Sequence, residues 1–258
     1  MLTEEQNGLV DAIKRFAQAE LAPGALARAH SRQYPWDVAE KLSGMGLLGI
    51  TVGAEDGGVG GTLMDAVLAI QTVASACPKS ADIVQAGNFG PIRTFVEYAS
   101  PEQKQRWLAD LITGRMLISL GMSEPDAGSA VTELTTSARE DGDDIVINGS
   151  KVFSTHSPDA NLFLIYVRFG PGVDGIGSVL IERGTPGFVV GERSSFMSGE
   201  EWCPLYFDNC RIPKSNILLG RGGFKRQIAG FNIERLGNAS RALALGRYAF
   251  ETAKQHAL

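Results

Sequence analysis

Two short segments of the chain carry the residue types that could hold a flat heteroaromatic ring. The first, Leu120–Ser129, reads Leu-Gly-Met-Ser-Glu-Pro-Asp-Ala-Gly-Ser and follows an apolar run. The second, Lys151–His156, reads Lys-Val-Phe-Ser-Thr-His. Together they offer backbone N–H groups, small hydroxyls that can orient ring heteroatoms, and the aromatic ring of Phe153 beside Thr155. We therefore expect these two segments to bind a flavin.

Taken one at a time, the same residues have a plainer explanation. Ser123 and Ser129 could satisfy backbone groups of a turn. Phe153 and Thr155 are ordinary residues for a strand. The spacing of all four residues together favours the flavin.

A charged pair stands on a helix near the C-terminus. On a helical wheel of about 100° per residue, the apolar residues from Phe224 onward fall in one arc of about 120°. Arg235 and Asn232 lie inside this arc, and Glu234 lies at its edge. A guanidinium on an apolar face is costly unless it has partners. Three interpretations stay open: a buried ion pair, an arginine whose stem packs while its head reaches water, or a helix face that borders a substrate.

Helical periodicity positions the first half of the chain. It starts at a capping box formed by Thr3 and Gln6, and Ser100-Pro101 marks a second strong helix start. Between them the pattern predicts, among others, one helix over Ile83–Tyr98.

The periodicity changes to two at Met116, and Asp141-Gly142 predicts a hairpin turn within the following strands. Gly222-Gly223 then opens one long helix that runs to the C-terminus. The pattern predicts an α+β fold. Its parts are an N-terminal all-α domain (1–115), an antiparallel β-sheet middle domain (116–220), and the first helix (221–258) of a C-terminal helical bundle.

Composition limits the classes of function. The chain has 258 residues and a net charge of −5, which argues against a nucleic-acid partner. Charges interrupt the apolar runs near the N-terminus, so we expect no membrane span and no signal peptide. The 3 cysteines and 3 histidines are widely spaced, so we expect no metal site and a reducing, cytoplasmic location.

The order of motifs resembles a known family. Ser-Glu-Pro-x-Ala-Gly-Ser (Ser123–Ser129), followed by Ile-Asn-Gly-x-Lys-x-Phe-x-Thr (Ile147–Thr155), is similar to the acyl-CoA dehydrogenase family. That family has a helical N-terminal domain, a β middle domain and a C-terminal four-helix bundle. The resemblance covers essentially the whole chain, but the chain is shorter than the family's usual length. We expect a fragment of a longer FAD-dependent enzyme, lacking most of the C-terminal helical domain and holding FAD weakly.

The resemblance implies a role for each residue of the two segments. Residues of the first segment would line the flavin ring, and residues of the second would pack on it or donate to it. The cofactor-binding set is Leu120, Met122 and Ser123 along the ring, Thr155 donating toward flavin N5, Phe153 packed on the ring, and Ser129. Ser129 would also contact the acyl-CoA substrate.

The resemblance also implies a catalytic base. In one branch of the family, which includes the isovaleryl-CoA dehydrogenases, the base lies on this helix just before an arginine, the position of Glu234 before Arg235. Glu234 would remove the α-proton of an acyl thioester while a β-hydride passes to flavin N5. Asn232 and Arg235 would face the thioester or organise the carboxylate. The family's commoner base lies late in the bundle, outside this chain, and both placements stay open.

Some positions depart from the family pattern. The family often has Asp after Gly-Ser, where this chain has Ala130, and often has Trp-Ile-Thr-Asn, where this chain has Phe153–His156. Leu120 stands where a polar residue is frequent. These departures place the chain away from the best-known fatty-acid enzymes.

The resemblance therefore implies an acyl-CoA dehydrogenase that oxidises an acyl-CoA to the 2,3-enoyl-CoA in fatty acid metabolism. It implies an electron-transfer flavoprotein or a similar acceptor, and a homo-oligomer, either a dimer or a homotetramer. Two alternatives stay open. One is a flavin oxidase, monooxygenase or desulfinase of the same fold, and the other is a non-catalytic partner subunit of a hetero-oligomeric acyl-CoA dehydrogenase.

Overall fold

The structure is a computed structural model and describes residues 2–197 and 199–258. The chain divides into two compact units. The helical unit comprises Met1–Ile92, Leu108–Arg115 and Phe231–Leu258, and the β unit comprises Arg93–Trp107 and Met116–Gly230. The domain boundaries at residues 115 and 220 stay a prediction.

The described residues form α-helices at the following positions: α1 (Glu4–Phe16), α2 (Ala25–His30), α3 (Trp36–Gly44), α4 (Leu63–Ala74), α5 (Pro78–Ala86), α6 (Pro91–Tyr98), α7 (Pro101–Ile112) and α8 (Phe224–Ala257).

Local capping starts the helices where the sequence predicts. The capping box of Thr3 and Gln6 is present at the start of α1. The Ser100 hydroxyl accepts from the Gln103 N–H at 3.2 Å, and the Gln103 side chain accepts from the Ser100 N–H at 3.0 Å. Each box satisfies N–H groups that a helix start leaves without partners.

The helical unit encloses one apolar core. Residues of α1, α3, α4 and α5 meet in it, each at most 1% exposed: Ile13, Leu42, Ile70, Val73 and Val84. Burial of such a side chain contributes about 1.5–3 kcal/mol, so this shared core holds the four helices together, and Ala244 of α8 is part of it.

The prediction of a single helix over Ile83–Tyr98 is wrong. The chain instead forms α5 and α6, separated by a turn over residues 87–90. Gly90 has a φ of +72°, a conformation that disfavours any side chain. The buried Asn88 amide donates to the Val84 and Leu47 carbonyls at 2.8 and 2.9 Å, which satisfies the end of α5.

The β unit is built on a sheet of these strands: β1 (Ile118–Gly121), β2 (Ser137–Asp141), β3 (Asp144–Thr155), β4 (Leu162–Arg168), β5 (Ile176–Glu182), β6 (Phe188–Val190), β7 (Ser194–Ser195), β8 (Glu201–Pro213) and β9 (Ile217–Leu219).

The sheet order is β6-β8-β3-β2-β4-β5-β9, with β1 beside β4 and β7 beside β8. The predicted hairpin joins β2 to β3. Most pairs are antiparallel, as predicted, but β1 pairs with β4 in parallel and β2 pairs with β4 in parallel at one position. The parallel register sets Leu120 opposite Leu164. The sheet therefore fixes the start of the first candidate segment.

The predicted long helix is confirmed as α8. Small residues form its buried face: Gly237 lies against Phe89, Ser240 donates to the Val67 carbonyl, and Ala244 is 3% exposed. The predicted apolar arc is exposed in its C-terminal part instead, with Leu243 at 67% and Phe250 at 63%, whereas Phe224 and Ile228 are half-buried. Arg235, inside that arc, is therefore not buried, and its charge remains in contact with water.

No helix among the described residues is both long and apolar enough to cross a membrane.

Candidate functional site

Three hydrogen bonds join the second predicted segment to the first and to Ser119, the residue directly before the first. They are the bonds from the Val152 N–H to the Ser123 carbonyl (2.9 Å), from the Ser119 hydroxyl to the Thr155 carbonyl (2.7 Å), and from the Lys151 ammonium to the Met122 carbonyl (3.2 Å). The structure thus brings Leu120, Met122 and Ser123 together with Phe153 and Thr155.

A β-bulge in β3 allows the hydrogen bond from Val152 to Ser123. The register between β3 and β8 shifts between Lys151 and Ser154, so one residue of β3 is in excess. A bulged residue leaves the ladder of its partner strand. The Val152 N–H uses this freedom to reach Ser123 rather than a residue of β8.

Phe153 is an aromatic ring held in a strained backbone. Its φ is +57°, an uncommon conformation for a bulky residue. Phe153 is 56% exposed, and its ring centroid lies 4.8 Å from that of Trp202 and 6.1 Å from that of Phe196. Strain and exposed apolar area both cost free energy, so this arrangement indicates a ligand-binding surface.

The donors beside this ring suit a flat ring system with polar edges. Met122, Ser123 and Thr155 are all half-buried, which leaves them accessible at the surface of a rigid sheet. The hydroxyls of Ser123 and Thr155 can each donate or accept. An exposed aromatic wall with two hydroxyls fits an isoalloxazine ring, and these residues would hold it.

Glu124 and Lys151 are site residues that the sequence analysis missed. Their ion pair measures 2.7 Å, with side chains 5% and 0% exposed. Glu124 also accepts from the Thr135 N–H and hydroxyl at 2.6 and 2.8 Å and from the Thr136 N–H at 3.0 Å. Lys151 occupies an inward position in the alternation that buries Ile145 and Ile147 on β3. A lysine at an inward-facing strand position is the sequence signal that could have predicted a buried ion pair.

The pKa values of Glu124 and Lys151 are both shifted in this buried ion pair. Burial acts to raise the pKa of Glu124, but the charge and hydrogen bond of Lys151 and the donors of Thr136 and Thr135 outweigh it and lower the pKa to about 2. Burial lowers the pKa of Lys151 to about 8, against the opposing effect of Glu124. Both groups are therefore charged at neutral pH.

Ser129 lies in the loop that Glu124 closes. The Glu124 carboxylate ties this loop to Thr135, and the segment from Gly128 to Ala130 is exposed. Ser129 therefore belongs to the same loop as Ser123, on its exposed side, where a ligand can reach it.

Glu234 belongs to the helical unit, where side chains of α5 and α8 hold it. Its Oε1 accepts from the Gln85 amide at 3.2 Å and from the Asn238 amide at 3.4 Å. The Gln85 amide also donates to the Asn238 Oδ1 at 2.7 Å. A Cβ on Gly90 would lie 2.8 Å from Glu234 Oε2. The turn that interrupts the predicted helix is therefore the place where the backbone makes room for this carboxylate.

Asn232 and Arg235 contact each other on α8, because the Arg235 Nη1 donates to the Asn232 Oδ1 at 2.8 Å. The predicted site residues thus fall into two groups. Leu120, Met122, Ser123, Ser129, Phe153 and Thr155 belong to the β unit, and Asn232, Glu234 and Arg235 belong to the helical unit.

A groove of about 470 Å³ in the β unit holds none of the predicted residues. It is lined by Arg139, Arg168 and Arg221, among others. Arg168 donates to the carbonyls of Thr132, Leu134 and Gly172 at 2.6–2.8 Å. Its guanidinium is thereby engaged in holding loops together.

The chain matches two known domain families. The family "Acyl-CoA dehydrogenase, N-terminal domain" matches residues 3–115, and the family "Acyl-CoA dehydrogenase, middle domain" matches residues 119–210. An acyl-CoA dehydrogenase of Bacillus subtilis is 30% identical over 99% of the chain, and a 3-sulfinopropanoyl-CoA desulfinase of Variovorax paradoxus is 33% identical over 97%.

A solved structure has the same fold. The glutaryl-CoA dehydrogenase from Mycobacterium smegmatis in complex with FADH2 covers 97% of the chain with a TM-score of 0.87 and 26% identity. The chain spans 69% and 65% of the two relatives and 64% of the solved chain. Two matched domains, the relatives and the shared fold lead to one conclusion: the chain belongs to the acyl-CoA dehydrogenase family.

Proposed function

We propose that this chain binds FAD and an acyl-CoA thioester and takes part in oxidising the thioester to the 2,3-enoyl thioester. The observation that carries the proposal is the strained, exposed Phe153 ring, fixed beside Ser123 and Thr155 by three hydrogen bonds. The solved relative in complex with FADH2 supports the choice of a flavin.

The β unit supplies the binding groups in this proposal. Phe153 packs on the ring, and Thr155 donates to its polar edge. Ser129, on the exposed side of the loop, contacts the acyl-CoA. The residues that line the remaining ring edge are Leu120, Met122 and Ser123. FAD, when bound, supplies the two-electron acceptor for a hydride from the β-carbon.

The helical unit supplies the base. Glu234 removes the α-proton of the thioester. Gln85 and Asn238 hold the Oε1 of this carboxylate by their amide N–H groups, and Oε2 lies on the side of Gly90. Asn232 and Arg235 face the thioester or organise this carboxylate.

The experiment is an anaerobic titration of the purified chain. We expect flavin absorbance after addition of FAD, and bleaching when a matching acyl-CoA is added. Glu234→Gln should abolish bleaching without unfolding the protein. Glu251→Gln, an exposed position on the same helix, is the matched control and should bleach normally. Retained bleaching in Glu234→Gln would move the base elsewhere.

A desulfinase is the second candidate, because a relative 33% identical carries that name. The same titration separates the two activities. Sulfite release from 3-sulfinopropanoyl-CoA, without bleaching by saturated acyl-CoAs, would favour the desulfinase. A protein that stays colourless with added FAD would instead favour a non-catalytic partner subunit.

The remaining features of the proposal concern the whole protein. We propose an electron-transfer flavoprotein as the electron acceptor, a dimer or tetramer of identical chains, and a cytoplasmic location. Electron transfer to a purified flavoprotein, and the mass measured by light scattering, test the first two.

A further inference from the structure

Glu124 and Lys151 form an ion pair within the β unit. Both side chains are buried, at 5% and 0% exposure. Desolvation of two charges offsets most of their attraction, so an apolar pair of similar volume is often equally stable. Stability alone therefore does not explain why two charges stand here.

Lys151 connects three parts of the candidate site. Its ammonium donates to the Glu124 carboxylate at 2.7 Å and to the Met122 carbonyl at 3.2 Å. Its stem lies over Gly121, where a Cβ would be 3.2 Å from the Lys151 Cγ. The β-bulge that contains the exposed Phe153 begins directly after Lys151. The position of one side chain is thus coupled to both segments.

Glu124 fixes the other end of this arrangement. Three bonds from Thr135 and Thr136 hold its carboxylate, so the ammonium is aimed by a group that cannot rotate away. Ionised acceptors make hydrogen bonds about twice as strong as neutral ones. The charges therefore give the loop one geometry, where an apolar pair would give only packing.

We infer that the Glu124–Lys151 pair is a positioning element that sets the Met122–Ser123 backbone and the Phe153 ring in the conformation that binds the cofactor. The inference rests on the proposed binding of FAD. Neither residue touches the ligand in this arrangement, and both act through the loop and the bulge.

Three variants test it. Lys151→Met keeps an unbranched stem but removes the ammonium, which leaves Glu124 as a buried charge without its cation. The double variant Glu124→Gln with Lys151→Met removes both charges and is expected to fold. Ile212→Ala is the control for lost stability alone, because Ile212 is 2% exposed and lies opposite Ile145, near the hairpin turn.

Two readouts are measured on the full chain. The first is the Kd for FAD from flavin fluorescence, and the second is amide hydrogen exchange of residues 120–129 without FAD. We expect the double variant to bind FAD at least tenfold more weakly and to exchange these amides at least tenfold faster. Ile212→Ala should change each by less than threefold at a temperature where all variants are folded.

Two results would overturn the inference. One is a double variant whose Kd and exchange stay within threefold of the parent chain. The other is a loss in Ile212→Ala equal to that in the double variant, since the pair would then act only through stability. If Lys151→Met does not fold, the double variant decides. If the parent chain binds no FAD, the proposed function fails, and the exchange measurement alone decides the inference.

Discussion

Gln85 on α5 donates its side-chain amide to the carboxylate of Glu234 on α8 at 3.2 Å, although 149 residues separate the two positions. The same amide donates to Asn238, one turn further along α8. Gln85 is 6% exposed. A buried amide that bridges two side chains of another helix holds that helix face in one arrangement.

Loss of this amide should slow the proposed reaction. We expect Gln85→Leu to lower the rate of flavin bleaching by about tenfold or more, because a hydrogen bond to a charged group is worth about 1.5–3 kcal/mol. The apparent affinity for acyl-CoA should stay unchanged, since the amide holds the base rather than the substrate. Gln105→Leu, an exposed position on α7, is the control. A rate unchanged in Gln85→Leu would show that the carboxylate needs no such support.

Gly90 should matter for activity more than for stability. An alanine there places its Cβ 2.8 Å from Glu234 Oε2 at a φ of +72°. Gly172 has a φ of +68°, and a Cβ added to it would meet nothing within 4 Å, so it shares the backbone cost without the contact. Both Gly→Ala variants should lose about 1–2 kcal/mol. Only Gly90→Ala should also slow bleaching, by about tenfold or more, because its methyl group displaces the base.

Denaturant unfolding and stopped-flow bleaching of the two variants provide the measurement. Equal losses of activity in Gly90→Ala and Gly172→Ala would contradict the role assigned to Gly90.

The parts of the fold that were predicted from sequence depend on local signals. The capping residues Thr3 and Ser100 start helices because each satisfies an N–H group three residues away. Asp141-Gly142 makes its hairpin because Gly142 takes a φ of +63°. Such signals act within a few residues and need no knowledge of tertiary contacts.

The missed features depend on contacts between distant segments. The helix break at Gly90 is an exception, because Gly87 and Pro91 are local signals of a break. Helical periodicity continues on both sides of it, and for that reason a single helix was predicted. Lys151 and Glu124 lie 27 residues apart, and their pairing follows only from the packing of β1 and β3. Likewise, the wheel identified an apolar arc on α8, but small residues such as Gly237 form the face that packs.

The strain at Phe153 provides a third prediction. Glycine is usually less stable than alanine in a strand, but at a φ of +57° the order should reverse. We expect Phe153→Gly to be about 1 kcal/mol more stable than Phe153→Ala. Both should weaken FAD binding by about two- to tenfold, because a lost aromatic contact is worth about 0.5–1.5 kcal/mol. Tyr206→Ala, an exposed ring on β8, should leave the Kd unchanged.

Thermal denaturation without FAD and fluorescence titration with FAD give the two quantities. A glycine variant less stable than the alanine variant would show that Phe153 is not strained in solution.

The free energy of unfolding should depend on the ionisation of Glu124 at acid pH. Its folded pKa of about 2 lies below the ordinary value of 4.5, so the unfolded chain takes up the proton first as the pH falls. The stability contributed by the ionised carboxylate is therefore present above about pH 4.5 and is lost toward pH 2. Glutamine at this position has the shape of the protonated acid and no titration in this range.

The fourth prediction concerns the difference in unfolding free energy between the parent chain and Glu124→Gln. At neutral pH this difference should be about 3–5 kcal/mol, because the substitution leaves the Lys151 ammonium buried without its anion. It should shrink steadily as the pH falls through the window set by the two pKa values. Other carboxylates titrate in both proteins and cancel in the difference. Urea unfolding at several acid pH values measures it, and a difference that stays constant would mean that Glu124 is not ionised in the folded chain.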